Sequence, residues 1–218
     1  MSSELAGFKN IMFIRHGEIP REKKGHLLHD PLLTEHGRRQ CERLRKHLDD
    51  EHLQIDLILC SPMRDVLQTL TIALQDYLHK NPTIPVQVLP LLQDCKSNNV
   101  GSDVEQLEQE FPNYDYSACH NTPFPGKRGI NASNFEMSVL RARILFEYLA
   151  ALPQKNIIVV THDSVIRLLQ GKQKPTDNLD APPKEESFTP CEHEFYTLRG
   201  SKIDGYQLVQ NNDFNKKV

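Results

Sequence analysis

The sequence predicts an α/β fold, a three-layer α/β/α sandwich around a mostly parallel central sheet. Two observations predict it. Three short apolar runs, at 11–14, 55–60 and 156–160, are continuous rather than alternating, which is the pattern of strands buried on both faces. The stretches between them repeat apolar residues at helical spacing, and strands alternating with helices imply a parallel sheet covered on both sides.

Taken in order, the first strand is "IMFI" (11–14), which runs straight into Arg15, His16 and Gly17. Thr34 is placed to cap a helix reaching about Leu48, with Cys41, Leu44 and Leu48 on one face. The second strand, 55–60, leads to Ser61 and Pro62. One helix then follows, with Val66, Leu67, Leu70, Ala73, Leu74, Tyr77 and Leu78 at helical spacing. A weaker strand lies at 86–89. Residues 95–133 break the pattern with Asn98, Asn99, Gly101, Pro112, Pro123, Pro125, Gly126 and Gly129. This reads as an irregular insertion with one helix at 104–111, expected to cover the site rather than build the core. Met137, Leu140, Ile144, Tyr148 and Leu149 mark a helix before "NIIVV" (156–160), and another begins at Ser164. After a polar, proline-rich stretch at 170–190, "FYTLRGSKIDGYQLV" reads as an edge hairpin, and the tail as loose. There is no internal repeat, and the whole of 1–218 reads as one domain.

Composition narrows the function. A net charge of −3 over 218 residues argues against a general nucleic-acid binder. No apolar run approaches a membrane span. The opening "MSSELAGFKN" lacks the apolar core of a signal peptide. Five cysteines with no CxxC pair then read as reduced thiols in an intracellular protein, cytoplasmic with the nucleus left open, and Cys60 reads as a packed thiol.

The chemistry gathers where the strands end, since ligands of open parallel sheets bind beyond the carboxyl ends of the strands. The three runs end at Arg15–His16–Gly17, Ser61–Pro62–Met63–Arg64 and Thr161–His162–Asp163. Two histidines and two arginines thus converge on one edge, a cationic cup suited to a phosphoryl group. Arginine presents a planar fork of donors to phosphate oxygens. A neutral imidazole is a competent nucleophile when its other nitrogen is held by a hydrogen bond. Gly17 permits close approach of backbone to ligand, and the hydroxyls of Thr161 and Ser61 are candidate donors to phosphate or, equally, turn-forming groups. HExxH and paired Cys/His spacings, which would mark a metal site, are missing.

At these residues the chain resembles the histidine phosphatase superfamily, also called phosphoglycerate-mutase-like. The resemblance rests on "FIRHGE" (13–18), "DPLLTEHGRRQ" (30–40, similar to D-x-x-L-T-x-x-G-x-x-Q), "CSPMRDVLQT" (60–69, similar to S-P-x-x-R-x-x-Q-T), "VVTHDSVIRLL" (159–169) and "PCEHEFYTL" (190–198). It implies that His16 is the phosphorylated nucleophile, that Arg15, Arg64 and His162 hold the phosphoryl oxygens, and that no cofactor or metal takes part. "LLQDCKSNNVGSDVEQLEQEF" (91–111) resembles fungal phosphatases of the family and makes Asp94 the proton donor, with Glu105 in reserve and Asn99 where an aspartate is usual. The implied activity is hydrolysis of small phosphomonoesters. A weakly catalytic binding or regulatory protein is the alternative, and a phosphoglycerate mutase a third. Against the mutase, Glu22 lies near the place where mutases carry a polar Asn. Arg21, Lys23, Lys24, Lys127 and Arg128 are candidates to meet a second anionic group of the substrate, although each reads more simply as a solvated surface charge.

Overall fold

The computed structural model describes residues 8–20, 29–49, 53–97, 99–174 and 188–211. Its strands are β1 (Lys9–Arg15), β2 (Leu57–Cys60), β3 (Val86–Val88), β4 (Asn156–Thr161), β5 (His193–Ser201) and β6 (Gly205–Gln210). They form one sheet in the order β3-β2-β4-β1-β5-β6. The pairs β3–β2, β2–β4 and β4–β1 are parallel, whereas β5 runs antiparallel to β1 and β6 antiparallel to β5. The helices are α1 (Glu35–Asp49), α2 (Arg64–Ala73), α3 (Gln75–Lys80), α4 (Val104–Glu110), α5 (Phe135–Ala151) and α6 (Asp163–Leu169). This is the α/β sandwich with a mostly parallel sheet that the sequence predicts.

Side chains alternate across the sheet, and both faces are covered. Met12, Ile14, Ile58, Cys60, Ile158 and Val160 pack against Leu44 and Leu48 of α1 and Val66 and Leu70 of α2. Ile11, Phe13, Leu57, Leu59, Ile157 and Val159 pack against Leu145 and Leu149 of α5 and Val165, Ile166 and Leu169 of α6. A strand buried on both sides has no solvent face, which is why these runs read as continuous. Each such side chain contributes roughly 1.5–3 kcal/mol on burial. At the start of α1, the Gly37 amide donates to Thr34 Oγ1 at 2.9 Å, the expected cap.

Three local expectations change. The single helix expected from Val66 to Leu78 breaks at Leu74 (φ −105°, ψ 10°), dividing α2 from α3. Its apolar face continues through the break, with Tyr77 still in the same core and its hydroxyl bonded to the Leu53 carbonyl at 3.0 Å. The 95–133 segment builds core as well as lying near the site: Val104, Leu107, Tyr116, Cys119 and Phe124 are buried in the α1–α2 layer. Its Asp115 pairs with the open edge of β3 through Val88 N–H to Asp115 O (2.8 Å) and Asp115 N–H to Val86 O (2.9 Å), which covers backbone groups that an edge strand leaves unpaired. Finally, the closing hairpin is only half an edge. Its β5 pairs with β1 and buries Tyr196 and Leu198, leaving β6 outermost. Arg21, Glu22, Lys23 and Lys24, most of the 170–190 stretch and nearly all of the tail lie outside the described residues. Among the described residues, no helix is long and apolar enough to cross a membrane.

Candidate active site

Sheet register places the histidines. Arg15 is level with Thr161, and Cys60 with Val160. The His16 amide continues the ladder to the Thr161 carbonyl at 3.1 Å, and the Ser61 amide to the Val160 carbonyl at 3.1 Å. His16, His162 and Ser61 therefore stand side by side, one step past three adjacent strand ends. The two imidazole centroids are 5.0 Å apart with their planes tilted by 58°, close to the strand spacing itself, about 4.8 Å. Both rings are buried, His16 at 6% exposure and His162 at 1%.

The His16 ring is oriented by its own chain. Its Nδ1 lies 2.8 Å from the Gly17 carbonyl. A carbonyl only accepts, so Nδ1 carries the proton and Nε2 keeps its lone pair. Gly17 sits tightly against the start of α1: its N–H donates to Thr69 Oγ1 at 2.9 Å, and a Cβ there would come within 2.9 Å of the Gly37 carbonyl. Next along, the Glu18 N–H donates to Gln40 Oε1 at 2.9 Å and the Glu18 carbonyl accepts from Thr34 N–H at 2.9 Å. His162 precedes α6. Its Nε2 is 3.0 Å from Ser61 Oγ, while its Nδ1 is buried without a hydrogen-bond partner.

Burial pushes the His16 imidazole well below its usual pKa, helped by His162 and the Arg15 guanidinium. Burial likewise takes His162 down to about 4, with Lys127, Arg141 and Arg15 adding to it and Asp94 opposing. Both rings are thus neutral at neutral pH. Arg15 is mostly buried, donates from one terminal nitrogen to the Phe188 carbonyl, and leaves its Nε without a partner. Asp163, Asp94 and Asp65 surround it electrostatically. Asp163 opens α6 and accepts from the Phe188 N–H at 2.9 Å, so it ties the strand end to the 188 region.

Asp94 reaches the site in an unexpected state. Burial alone would raise its pKa. The His162 ring, Lys127 and hydrogen bonds from Ser164 Oγ (2.7 Å) and Asn99 Nδ2 (3.0 Å) outweigh burial and hold the carboxylate far below its usual range. The Lys127 ammonium also donates to the Asp94 main-chain carbonyl. A proton donor needs the opposite shift. Glu105 lies exposed on α4 and contributes nothing to this cluster.

Two sequence expectations are corrected. Arg64 does not enter the cup: its guanidinium forks onto Glu110 of α4 at 2.9 and 2.7 Å. The reason is helical phase. One residue later on α2, about 100° further round, Asp65 points inward instead and is fully buried. Counted from Ser61 through S-P-x-x-R-x-x-Q-T, Gln68 and Thr69 fall on Q-T, and the arginine place falls on Asp65. Asp65 Oδ1 accepts from the Val66 N–H at 2.8 Å, whereas Oδ2 has no hydrogen bond and lies 3.5 Å from His16 Nδ1. Burial, with Asp30 and Asp94 nearby, holds this carboxyl well above the usual range, so it keeps its proton. Thr161 is the second correction. Strand alternation turns its hydroxyl to the α5–α6 side, where it donates to the Leu92 carbonyl at 2.8 Å. Asp65, Arg141 and Ser164 are the site residues missed in the sequence, while Lys127, expected there to meet a second anionic group, bonds the Asp94 carbonyl. Only Asp65 carried a signal, the register count.

A parallel sheet whose central strand ends present two facing, neutral imidazoles defines an α/β protein with a histidine-centred ligand site. The chain belongs to the histidine phosphatase superfamily (branch 1), whose description matches residues 11–181. A Schizosaccharomyces pombe protein bearing the name "Probable phosphatase" is 48% identical over 196 residues, covering 87% of this chain and 90% of the relative. Among solved structures, the alpha-ribazole phosphatase of Shigella flexneri matches with TM-score 0.55 at 22% identity, covering 96% of this chain and 98% of that one. The ecdysone phosphate phosphatase of Bombyx mori, in complex with tungstate, matches with TM-score 0.58 at 16% identity over 93% and 92%.

Proposed function

We propose that the protein hydrolyses small phosphomonoesters through a phosphohistidine on His16, with no metal in the reaction. The observation that carries this reading is the pair of facing imidazoles with His16 Nδ1 pinned to Gly17, which leaves Nε2 free to attack. The name of the fission-yeast relative points the same way.

His16 Nε2 attacks phosphorus, the ester P–O bond breaks, and the leaving oxygen departs with the electron pair. Arg15, Ser61 and His162 line the space for the phosphoryl oxygens, and their donors act where charge develops. Water then attacks the phosphohistidine, Asp94 takes its proton, and the N–P bond breaks to release phosphate. Because Asp94 is ionised, it suits this second step better than protonation of the leaving group. Substrates whose leaving group departs without a proton, such as aryl phosphates, are therefore favoured over alkyl phosphates, by at least about a hundredfold, the usual contribution of a general acid. The test measures phosphate release from p-nitrophenyl phosphate and from an alkyl phosphate, wild type against His16→Ala. Aryl hydrolysis lost in the variant is expected; equal rates in both proteins overturn the reading.

A second reading, a binding protein of the same fold with little turnover, is favoured by one observation. Asp65 stands where the motif carries arginine, which removes a phosphate-binding fork. Equal, negligible hydrolysis together with stoichiometric binding of inorganic phosphate supports that reading.

A further inference from the structure

The same substitution leaves a donor set that fits a cation. His16, Asp65 and His162 each offer an atom within 4.8 Å of the others, and all three residues are buried. Two of these residues each carry a buried polar atom with no hydrogen-bond partner, Asp65 Oδ2 and His162 Nδ1. An unsatisfied buried polar atom carries an uncompensated desolvation cost, and a shared cation satisfies both. Each side chain is also braced through its other polar atom. Val66 N–H holds Asp65 Oδ1 at 2.8 Å, and Ser61 Oγ meets His162 Nε2 at 3.0 Å. Bracing of this kind orients metal ligands.

We propose that His16, Asp65 and His162 bind one divalent transition-metal cation of the zinc class, and that this occupancy excludes phosphoryl chemistry at His16. The exclusion rests on the phosphatase reading above; the binding does not. Two imidazoles and one carboxylate form the borderline N/O set that zinc and its neighbours prefer, with room left for a water or another ligand. The unpartnered His162 Nδ1 and Asp65 Oδ2 are the donors that these two residues have to offer, and His16 offers Nε2, the nitrogen that its bond to Gly17 leaves with a lone pair. Bonds of about 2.0–2.2 Å in a tetrahedral site put donors roughly 3.3 Å apart. The candidate donor atoms of the three residues already lie within 4.8 Å of one another, so reaching that spacing shortens each separation by at most about 1.5 Å.

Local charge permits the cation. Arg15, Lys127 and Arg141 act on His162, while Asp163, Asp94, Asp65 and Glu192 act on Arg15, so three basic groups face four acids. Asp30 acts on Asp65 as a further acid. An arginine at position 65 would instead surround the histidines with cations.

The experiment titrates the full-length protein with Co²⁺ in phosphate-free buffer, reading visible absorption, then displaces it with Zn²⁺. One Co²⁺ per chain with a visible d–d band, bleached by Zn²⁺, is the expected result. Asp65→Asn, nearly isosteric, weakens binding about tenfold or more, since loss of a ligand costs no less than loss of an orienting partner. His162→Gln does the same. The surface imidazoles His47 and His193, with centroids 5.3 Å apart, are the competing site, and His47→Gln leaves the band unchanged. Should both site variants fail to fold, NMR of the wild type still decides: Zn²⁺ must shift the two buried imidazole resonances. Absence of a stoichiometric band, a band indifferent to Asp65→Asn, or shifts confined to exposed histidines each overturn the inference. A band in a protein without phosphatase activity upholds it and sinks the catalytic reading alone, while Zn²⁺-insensitive hydrolysis in a protein that binds Co²⁺ overturns the exclusion.

Discussion

Asp94 and Asp65 are the same residue type, both buried, in opposite states. Asp94 receives hydrogen bonds on both oxygens and sits beside Lys127, so it stays ionised. Asp65 has a bare Oδ2 and acidic neighbours, so it stays protonated. Environments that drive two carboxyls apart are what assign acid and base roles. For Asp65 the consequence is a stability cost with a definite sign. Its folded pKa lies above the unfolded value near 3.9, so folding takes up a proton once the pH exceeds about 4. The cost is absent below that pH, grows as pH rises, and is fully present above the folded pKa. Asp65→Asn keeps an acceptor for the Val66 N–H and needs no proton. Its thermal midpoint at pH 7 is expected to exceed that of the wild type by about 3–5 °C for each pK unit removed, and the gap to close near pH 4. Thermal melts at the two pH values check this; a lower midpoint for the variant at pH 7 contradicts it. The sequence made His16 and His162 legible, because each follows a β-branched or apolar run that had to be a strand. It hid Asp65 because Arg64, its neighbour, supplies the residue type the motif calls for, one position early.

Among the elements, the junction between β1 and α1 decides how firmly His16 is held. The backbone of residues 17–18 lies on the first turn of α1 so closely that a Cβ on Gly37 would fall 2.2 Å from the Glu18 carbonyl oxygen. Glycine inside a helix is normally a weakness, and replacing it with alanine gains about 1 kcal/mol. Here the sign reverses. Gly37→Ala forces the 17–18 backbone away and is expected to destabilise the protein by about 1–3 kcal/mol, the usual cost of overpacking. The Gly17 carbonyl that fixes the His16 tautomer moves with it, so activity falls by more than the folded fraction does. Urea unfolding and p-nitrophenyl phosphate hydrolysis on the same preparations test both statements; a variant more stable than the wild type refutes the first. Elements with local signals, such as the Thr34 cap and the strand at 156–160, could be read in advance. The break at Leu74 could not, because the apolar face of α2 runs on into α3. Nor could the pairing of β5 with β1 or of Asp115 with β3, since strand partners distant in sequence leave no local trace.

At the scale of the whole molecule, the site exists because β4 is inserted between β2 and β1. That order sets three strand ends level and brings together histidines from opposite ends of the chain, inside a sheet covered on both faces. The same covering keeps the imidazoles neutral, which ties stability to pH. His162 has a folded pKa of about 4 against about 6.5 when unfolded. As pH falls below 6.5 the unfolded chain takes the proton first, so stability is lost between 6.5 and 4 and levels off once the folded form also protonates. The span corresponds to about 3 kcal/mol. His16 works in the same direction and Asp65 in the reverse over part of this range, so the wild-type curve alone mixes the contributions. Comparison with His162→Gln separates them. The stability of the wild type relative to the variant, from urea unfolding at pH 7, 6, 5 and 4, is expected to drop by about 3 kcal/mol from the first point to the last. A difference that stays level would mean that His162 titrates as a solvated imidazole does. The ring would then not be walled in by the sheet and its helices, and the neutral, facing pair on which the proposed chemistry depends would not exist.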